Sequence, residues 1–239
     1  KEQLGNDPIF GNAVLTDIDG DGDLDFYKPT YYGNTDKVYF NDGTGSFSTP
    51  VEYTIGSFQI AATAGDFDND GDNDIITGGY YDIYFGENDG SGNLSYTSIH
   101  SNGNNYLRKM YSADFDADGN LDLAVAFSSS AMEVMFGNGD GTFNRTQLVN
   151  SLANQNSWSV SISDYEGDGD MDILQLSVNL GSAVLWLNDG NGSFQEELNT
   201  FTTSNSNYQD GVFGDFNGDG INDFAFSQSG SSLVQLSDV

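Results

Sequence analysis

The chain of 239 residues combines a strongly acidic charge with enough apolar side chains to form a core. It has 37 acidic and 6 basic residues, a formal net charge of −31, 37% hydrophobic residues and 13% aromatic residues. This charge repels phosphate backbones and anionic lipid, so we expect no nucleic-acid partner. The sequence has no apolar run of about 18 residues or more, which a membrane-spanning helix would need. We therefore expect no membrane insertion. The absence of cysteine excludes disulfides and thiolate zinc sites.

A nine-residue Asp-rich loop occurs five times along the chain. We call the copies loop 1 to loop 5, at residues 17–25, 66–74, 114–122, 164–172 and 215–223. Their first residues are 48 to 51 positions apart, and together they hold more than half of the acidic residues. Self-similarity at this spacing is typical of a repeat architecture with one supersecondary unit in each repeat.

Each repeat predicts four short strands. Strand A precedes the Asp-rich loop and strand B follows it, while strand C leads into a Gly-rich turn and strand D begins with an aromatic or aliphatic residue. The turns are at residues 41–47, 88–94, 137–143 and 188–194. No segment shows a sustained helical period. The sequence therefore predicts an all-β protein, a β-propeller of about five four-stranded blades.

The two chain ends suggest how the ring closes. Aligning Asp17 with Asp66 places residues 1–6 opposite residues 50–55, which form a predicted strand D, and the last repeat ends after its strand C. We expect a single β-propeller domain over residues 1–239, closed by the N-terminal strand joining the last blade. The alternative is that the chain is part of a larger propeller.

The loop pattern Asp-x-Asp-x-Asp-Gly-x-x-Asp predicts calcium binding. Calcium takes six to eight oxygen ligands, and positions 1, 3, 5 and 9 supply carboxylates while position 7 supplies a backbone carbonyl. Gly at position 6 permits the sharp turn. We expect up to five Ca²⁺ ions, one for each repeat. The predicted ligands are Asp17, Asp19, Asp21, Asp23 and Asp25; Asp66, Asp68, Asp70, Asp72 and Asp74; Asp114, Asp116, Asp118, Asn120 and Asp122; Asp164, Glu166, Asp168, Asp170 and Asp172; and Asp215, Asn217, Asp219, Ile221 and Asp223.

An EF-hand, a magnesium site and a plain turn each fit the loops less well than a calcium site. An EF-hand requires Glu at position 12 and flanking helices, but position 12 is Lys28, Thr77, Val125, Gln175 or Phe226. Magnesium prefers smaller octahedral sites. Plain turns do not need four carboxylates that repel one another. Because position 3 is Glu166 in loop 4 and Asn217 in loop 5, we expect loop 5 to be the weakest site.

The loop and the Gly-rich turn together resemble the FG-GAP/VCBS repeats, which are related to the repeats of integrin α-subunit propellers. The resemblance covers essentially the whole chain, and Glu166 is the one side chain that departs from the family's loop pattern. It implies structural calcium in the A–B hairpin and ligands on the opposite face, at the D–A and B–C loops. The family includes adhesion proteins, lectins and propellers of secreted carbohydrate-active enzymes, so membership does not decide the function.

Aromatic residues in the D–A and B–C loops are the candidate ligand contacts. The D–A loops contain Phe58, Tyr106, Trp158 and Tyr208, and the B–C loops contain Tyr31, Tyr32, Tyr80 and Tyr81. Aromatic rings beside amides and hydroxyls suit the CH faces and hydroxyls of sugars. The alternative is that these rings pack between blades, as we expect for Trp186 in strand C.

Catalytic motifs are absent from the sequence. There is no cysteine nucleophile and no Gly-x-Ser-x-Gly elbow. We expect the single histidine, His100, to be a solvated loop residue and Arg108 and Lys109 to be a solvated pair. The sequence therefore predicts no enzyme.

The sequence leaves three functional hypotheses. The favoured one is a secreted or cell-surface, calcium-stabilised binding module, lectin-like, for glycans or another extracellular partner. The second is an architectural or adhesion segment of a larger surface protein that makes protein contacts. The third is a polysaccharide-cleaving enzyme. The sequence does not indicate an oligomeric state.

Overall fold

A computed structural model describes residues 12–56, 58–101, 103, 105–148, 156–177, 182–197, 201–202, 208–228 and 231–235. Every regular element within these ranges is a β-strand, and no helix of membrane-spanning length and apolarity is found among them. The chain divides into two compact units. Unit 1 contains Lys1–Ser112 and Gly137–Phe143, and unit 2 contains Ala113–Phe136 and Asn144–Val239. The single domain over residues 1–239 stays a prediction.

Unit 1 contains two complete four-stranded antiparallel sheets, each in chain order. The first sheet consists of β1 (Val14–Thr16), β2 (Asp25–Lys28), β3 (Thr35–Tyr39) and β4 (Val51–Thr54). The second consists of β5 (Gln59–Gly65), β6 (Asp74–Gly79), β7 (Asp82–Asn88) and β8 (Leu94–Ser101). The next strand is β9 (Leu107–Ala113), whose Ser112 hydroxyl lies 2.8 Å from the Thr63 hydroxyl of β5.

Unit 2 repeats the same order. Strand β10 (Asp122–Phe127) pairs with β11 (Met132–Gly137), and β12 (Phe143–Leu148) follows in the chain. A further sheet contains β13 (Ser157–Ser163), β14 (Asp172–Ser177), β15 (Ser182–Asn188) and β16 (Phe194–Glu196), with β17 (Phe201–Thr202) also paired to β15. The last sheet contains β18 (Tyr208–Gly214), β19 (Asp223–Gln228) and β20 (Ser231–Gln235).

The predicted strand pattern is confirmed within the described residues. Each Asp-rich loop joins a strand A to a strand B in an antiparallel pair, as in the register of Thr16 with Asp25 and of Gly65 with Asp74. The predicted closure of the ring by residues 1–6 lies outside the described residues.

The core consists mainly of the second and third strands of each sheet. Strands β6, β10 and β14 are buried at every residue, because a central strand of an antiparallel sheet is covered by a strand at each side and by packed side chains on both faces. Trp186 is 4% exposed and donates its indole N–H to Gln175 Oε1 at 2.9 Å, so its predicted core position is confirmed.

Two expectations about polar residues were wrong. His100 lies in strand β8 and is partly buried, because the fourth strand of this sheet extends to Ser101 instead of ending in a loop. Lys109 is 8% exposed and Arg108 is half-buried, since both belong to strand β9 and not to a solvated loop. The Lys109 ammonium lies 5.2 Å from the centroid of the Tyr111 ring.

Candidate functional site

The first residue of each Asp-rich loop organises the turn. Both carboxylate oxygens of Asp17 accept backbone hydrogen bonds, from Gly20 N at 2.8 Å and Gly22 N at 2.9 Å. The carboxylates at position 1 of the other four loops also accept the N–H of the position-6 glycine. That glycine has a φ of 92° in loop 1 and 101° in loop 2, a backbone conformation that favours glycine. The predicted reason for Gly at position 6 therefore agrees with the local geometry.

The carboxylate at position 9 of each loop is buried where the loop joins strand B, and it accepts backbone hydrogen bonds. Asp25 is fully buried and accepts Ile18 N at 2.9 Å on Oδ2 and Asn41 N at 2.8 Å on Oδ1. The position-9 carboxylates of loops 2 to 5 are equally buried, and each accepts the backbone N–H of position 2. Burial raises the pKa of Asp74 to about 6 and also raises the pKa of Asp172. Each oxygen keeps a second lone pair for another ligand.

Loops 1 to 3 bring carboxylates close enough to hold a metal ion. In each of them three carboxylate oxygens lie within 4.8 Å of one another; the groups are Asp17, Asp19 and Asp25; Asp66, Asp68 and Asp70; and Asp114, Asp116 and Asp122.

Within these groups, Asp19 Oδ1 and Asp114 Oδ1 are buried atoms without a hydrogen-bond partner. Burial, with a contribution from neighbouring carboxylates, raises the pKa of Asp19, Asp68 and Asp116. Buried acceptors that lack a donor are costly. An all-oxygen, multiply charged donor set of this kind fits a hard cation such as calcium.

Loops 4 and 5 differ at position 3. Among the described residues, neither loop contains a three-carboxylate group with this spacing. In loop 4, burial and a hydrogen bond with Asp168 raise the pKa of Glu166, and the loop lines a cleft of about 460 Å³ with Asp189. In loop 5, Asn217 Nδ2 donates to Asp219 Oδ2 at 2.8 Å, so an amide already satisfies one carboxylate oxygen. The weakness of loop 5 stays a prediction.

The position-7 side chains of loops 1, 2 and 4 lie against the Gly-rich turns. A side chain at Gly43, Gly90 or Gly190 would collide with the carboxylate at position 7 of the same repeat, which is Asp23, Asp72 or Asp170. Glycine at these turn positions therefore allows the turn to approach the Asp-rich loop closely, in addition to allowing the turn itself. The positive φ of each of the three, between 72° and 74°, is a second reason for glycine.

Six of the eight predicted ligand aromatics meet in unit 1. We call Tyr31, Tyr32, Phe58, Tyr80, Tyr81 and Tyr106 the aromatic cluster. Tyr80 is its centre: its ring stacks on Tyr106 with centroids 4.0 Å apart and on Phe58 at 5.1 Å, and it meets Tyr31 edge-on at 5.6 Å. Tyr32 contacts Tyr31 at 4.7 Å, and Tyr81 contacts Phe58 at 6.3 Å. The structure thus brings into contact rings that are 22 to 49 residues apart in the chain.

The aromatic cluster has buried and open parts. Tyr32 is 63% exposed and Tyr81 is 52% exposed, whereas the other four rings are partly buried. The hydroxyls of Tyr31 and Tyr80 are 2.6 Å apart, and this hydrogen bond is the main cause that raises the pKa of Tyr31 to about 12. Phe58 has a φ of 68°, a strained conformation that persists only where the surroundings enforce it. Gly79 leaves the space that the Phe58 carbonyl occupies.

The Arg108 side chain lies near the aromatic cluster. Arg108 is two residues after Tyr106 and therefore on the same side of the extended chain. Burial lowers the pKa of Arg108, and electrostatic interactions with the side chains of Tyr80, Tyr31 and Tyr106 oppose this shift. Thr30 Oγ1 and Gln59 Oε1, next in sequence to Tyr31 and Phe58, are buried without a hydrogen-bond partner.

Asp36 in β3, which binds the B–C loop that contains Tyr31 and Tyr32, was not predicted from the sequence. Asp36 is 1% exposed and accepts hydrogen bonds from Tyr27 OH at 2.7 Å, Thr30 N at 2.8 Å and Thr77 Oγ1 at 3.1 Å. Burial raises the pKa of Asp36 to about 6. The available signal was an acidic residue inside a strand and outside the Asp-rich loops.

The remaining two predicted contacts, Trp158 and Tyr208, belong to unit 2. Trp158 lies in strand β13 of unit 2 and is partly buried. The side chain of Tyr208 lies outside the described part of the structure.

Comparison with protein families identifies the repeat. The FG-GAP-like repeat matches residues 17–77, 66–125, 114–175 and 176–226, so the chain belongs to this family. None of the curated protein sequences matches the chain.

Solved structures of β-propellers are similar in fold. The first is an Agrocybe aegerita lectin, described as recognising non-reducing terminal N-acetylglucosamine, with 21% identity and a TM-score of 0.59 over 80% of this chain and 51% of that chain. The Dos1 propeller has 11% identity and a TM-score of 0.58 over 83% of this chain and 49% of that chain. The V. cholerae biofilm matrix protein Bap1 has 16% identity and a TM-score of 0.50 over 92% of this chain and 35% of that chain. The chain thus spans about half or less of each relative, and at these identities the likeness shows the β-propeller fold alone.

Proposed function

We propose that this chain is a calcium-stabilised, lectin-like binding module that acts outside the cell or on its surface, and that the aromatic cluster is its glycan-binding face. The observation that carries the proposal is the convergence of six aromatic side chains, predicted separately from the D–A and B–C loops, on one site of unit 1. This site lies outside the Asp-rich loops, so calcium and ligand have separate residues.

The composition of the aromatic cluster suits a sugar ring. Tyr32 and Tyr81 are more than half exposed, so their rings are open to the CH face of a sugar. Phe58 and Tyr80 pack against Tyr81, and Tyr31 packs against Tyr32. Tyrosine hydroxyls and the Arg108 guanidinium supply hydrogen-bond donors. Aromatic rings and hydroxyl-binding groups together match an amphipathic carbohydrate more closely than an apolar ligand.

The proposed role of calcium is to stabilise the Asp-rich loops and the strand pairs that they join. The carboxylates of loops 1 to 3 would hold an ion, and the corresponding residues of loops 4 and 5 would hold further ions more weakly. When bound, calcium supplies the positive charge that offsets the repulsion among these carboxylates. A calcium requirement and an acidic surface both suit an extracellular location.

The relatives support a binding role without deciding it. One is the lectin described as recognising N-acetylglucosamine, and another is a biofilm matrix protein. Architectural adhesion through protein contacts is the competing role, and polysaccharide cleavage is the less favoured one. We therefore propose that the module binds its ligand without turnover.

A glycan array tests this proposal. The wild-type protein is screened in millimolar calcium beside the double variants Y32A/Y81A and Y32F/Y81F, because phenylalanine keeps the ring and alanine removes it. We expect specific glycan binding by the wild type, retention of most of it by Y32F/Y81F and loss by Y32A/Y81A, about tenfold or more in affinity, since stacking on aromatic rings supplies on the order of 1–2 kcal/mol. A blank array for a folded, calcium-loaded protein would overturn the glycan proposal and favour protein adhesion.

A further inference from the structure

A hydrogen-bonded chain connects loop 1 to loop 2. The Asp25 carboxylate of loop 1 accepts Ile18 N at 2.9 Å, and the carbonyl of the same Ile18 accepts Asn88 Nδ2 at 2.7 Å. The backbone N–H of Asn88 then donates to Asp74 Oδ1 of loop 2 at 2.9 Å. The buried carboxylates that end the two loops are therefore joined through one peptide unit and one asparagine.

Asn88 is held in this position by all of its polar groups. It is 2% exposed, and its second amide hydrogen donates to the Asn73 carbonyl of loop 2 at 2.9 Å. Its Oδ1 accepts Gly92 N at 3.2 Å. A second amide makes the same connection directly, since Asn73 Nδ2 donates to the Asp17 carbonyl of loop 1 at 3.1 Å. A movement of positions 1 and 2 of loop 1 must therefore either break these hydrogen bonds or move loop 2 with it.

Unit 2 contains the same chain between loops 3 and 4. Asp122 Oδ2 accepts Phe115 N at 2.7 Å, the Phe115 carbonyl accepts Asn188 Nδ2 at 2.7 Å, and Asn188 N donates to Asp172 Oδ1 at 2.9 Å. Asn188 is 4% exposed. The repetition of the chain in a second unit, with the same atoms, indicates a recurrent feature of these repeats and not a local accident.

The equivalent positions of the other repeats provide internal comparisons. Asn41 follows strand β3 as Asn88 ends β7, but its Nδ2 donates to Leu24 O of its own loop at 3.2 Å. In the third repeat the position is Gly137, which has no side chain. The amide that connects two loops is therefore a property of particular repeats and not of the turn as such.

We propose that Asn88 couples calcium binding at loop 1 to calcium binding at loop 2, and that Asn188 does the same for loops 3 and 4. The inference rests on the calcium sites of the proposed function. An ion at loop 2 fixes Asp74 and, through Asn88, the Ile18 peptide whose N–H holds Asp25. Loop 1 is then ordered before its own ion arrives and loses less conformational freedom on binding. The two asparagines are positioning residues, because they act through carboxylates and need not touch the ion.

Site-resolved calcium titration by NMR tests the coupling. The amide signals of Gly22 and Gly71 report loops 1 and 2, because each N–H donates to the position-1 carboxylate of its own loop. Loop 2 is weakened by D68N, an isosteric change that removes a charge from its carboxylate group. We expect D68N to lower the calcium affinity of loop 1 by about fivefold or more, within the usual range of coupling between sites. In the N88A background, the same D68N change should alter loop 1 by less than about twofold.

The controls separate coupling from general loss of structure. N41A removes the equivalent amide of the first repeat and should leave the effect of D68N on loop 1 intact. If N88A does not fold, N73L removes the second amide connection and places at position 8 the leucine that loops 1 and 3 already have; it should reduce the coupling. Calcium binding at both loops with no effect of D68N on loop 1 would overturn the coupling while leaving the calcium sites in place. Absence of calcium binding at either loop would overturn both.

Discussion

Replacing the buried carboxylate of Asp36 should change the pH dependence of stability. Burial raises its pKa from 3.8 to about 6 in the folded protein. A raised pKa means that the folded state binds this proton more tightly than the unfolded state. The stabilisation by the proton is full below about pH 4 and is lost as the pH rises through about 6. Two pKa units correspond to about 3 kcal/mol in the free energy of unfolding.

The variant D36N isolates this contribution. Asparagine is isosteric with the protonated carboxyl group and cannot ionise. The substitution therefore only weakens the hydrogen bonds with Tyr27, Thr30 and Thr77, which lowers the free energy of unfolding by about 1–3 kcal/mol at every pH. Between pH 4 and pH 7.5 the variant should therefore gain about 2.5 kcal/mol in stability relative to the wild type. The other titrating groups are common to both proteins and cancel in the difference.

Urea denaturation in excess calcium, followed by tryptophan fluorescence, measures this difference. D42N is the matched control, because hydrogen bonds from Thr44 lower the pKa of the exposed Asp42. Its stabilisation is present above about pH 4 and is lost only as the pH falls below that value, so the difference between D42N and the wild type should stay nearly constant from pH 4 to 7.5. A difference between D36N and wild type that stays constant within about 0.5 kcal/mol from pH 4 to 7.5 would refute the raised pKa of the buried Asp36 carboxyl group.

Three further predictions concern calcium and the aromatic cluster. Removing calcium with EDTA should lower the melting temperature by more than about 10 °C, because each saturated site adds about 2.7 kcal/mol at a free concentration 100-fold above its Kd; calorimetry showing the same melting temperature in both buffers would contradict it. N217D should tighten calcium binding at loop 5 by about tenfold in calorimetric titration, since it restores a charged ligand, and an unchanged affinity would count against that position as a ligand. G79A should push the Phe58 carbonyl away and weaken glycan binding on the array, whereas unchanged binding would show that the position of Phe58 does not matter.

The repeat and its strands could be predicted because their determinants are local. Asp and Gly at fixed positions specify the turn, and the position-1 carboxylate of each loop bonds to the N–H of its own position-6 glycine. The apolar runs on either side, such as Leu123–Phe127, specify buried strands. The periodicity of these features sets the number of repeats and needs no tertiary information.

The contacts between repeats could not be predicted from these patterns. Asp36 is buried because Tyr27 and Thr77, 9 and 41 residues away, donate to it, and no local pattern encodes such a partner. The convergence of Tyr31 with Tyr80 likewise depends on neighbouring sheets. For the aromatic residues, the sequence supplied the candidate set and the alternative of packing between repeats, and the structure shows that the cluster combines mutual packing with exposed rings.

Native mass spectrometry of the wild-type protein in saturating calcium would show whether the Asp-rich loops bind the cations that we propose stabilise the fold around the aromatic cluster. We expect a mass increase of at least three calcium ions, one for each of the carboxylate groups of loops 1 to 3, rising toward five at higher calcium. The variant D19N should need more calcium than the wild type to reach the same count, because an amide replaces a charged ligand of loop 1. A protein that remains folded with no bound calcium, or whose calcium count at limiting calcium does not change in D19N, would contradict the assignment of these loops.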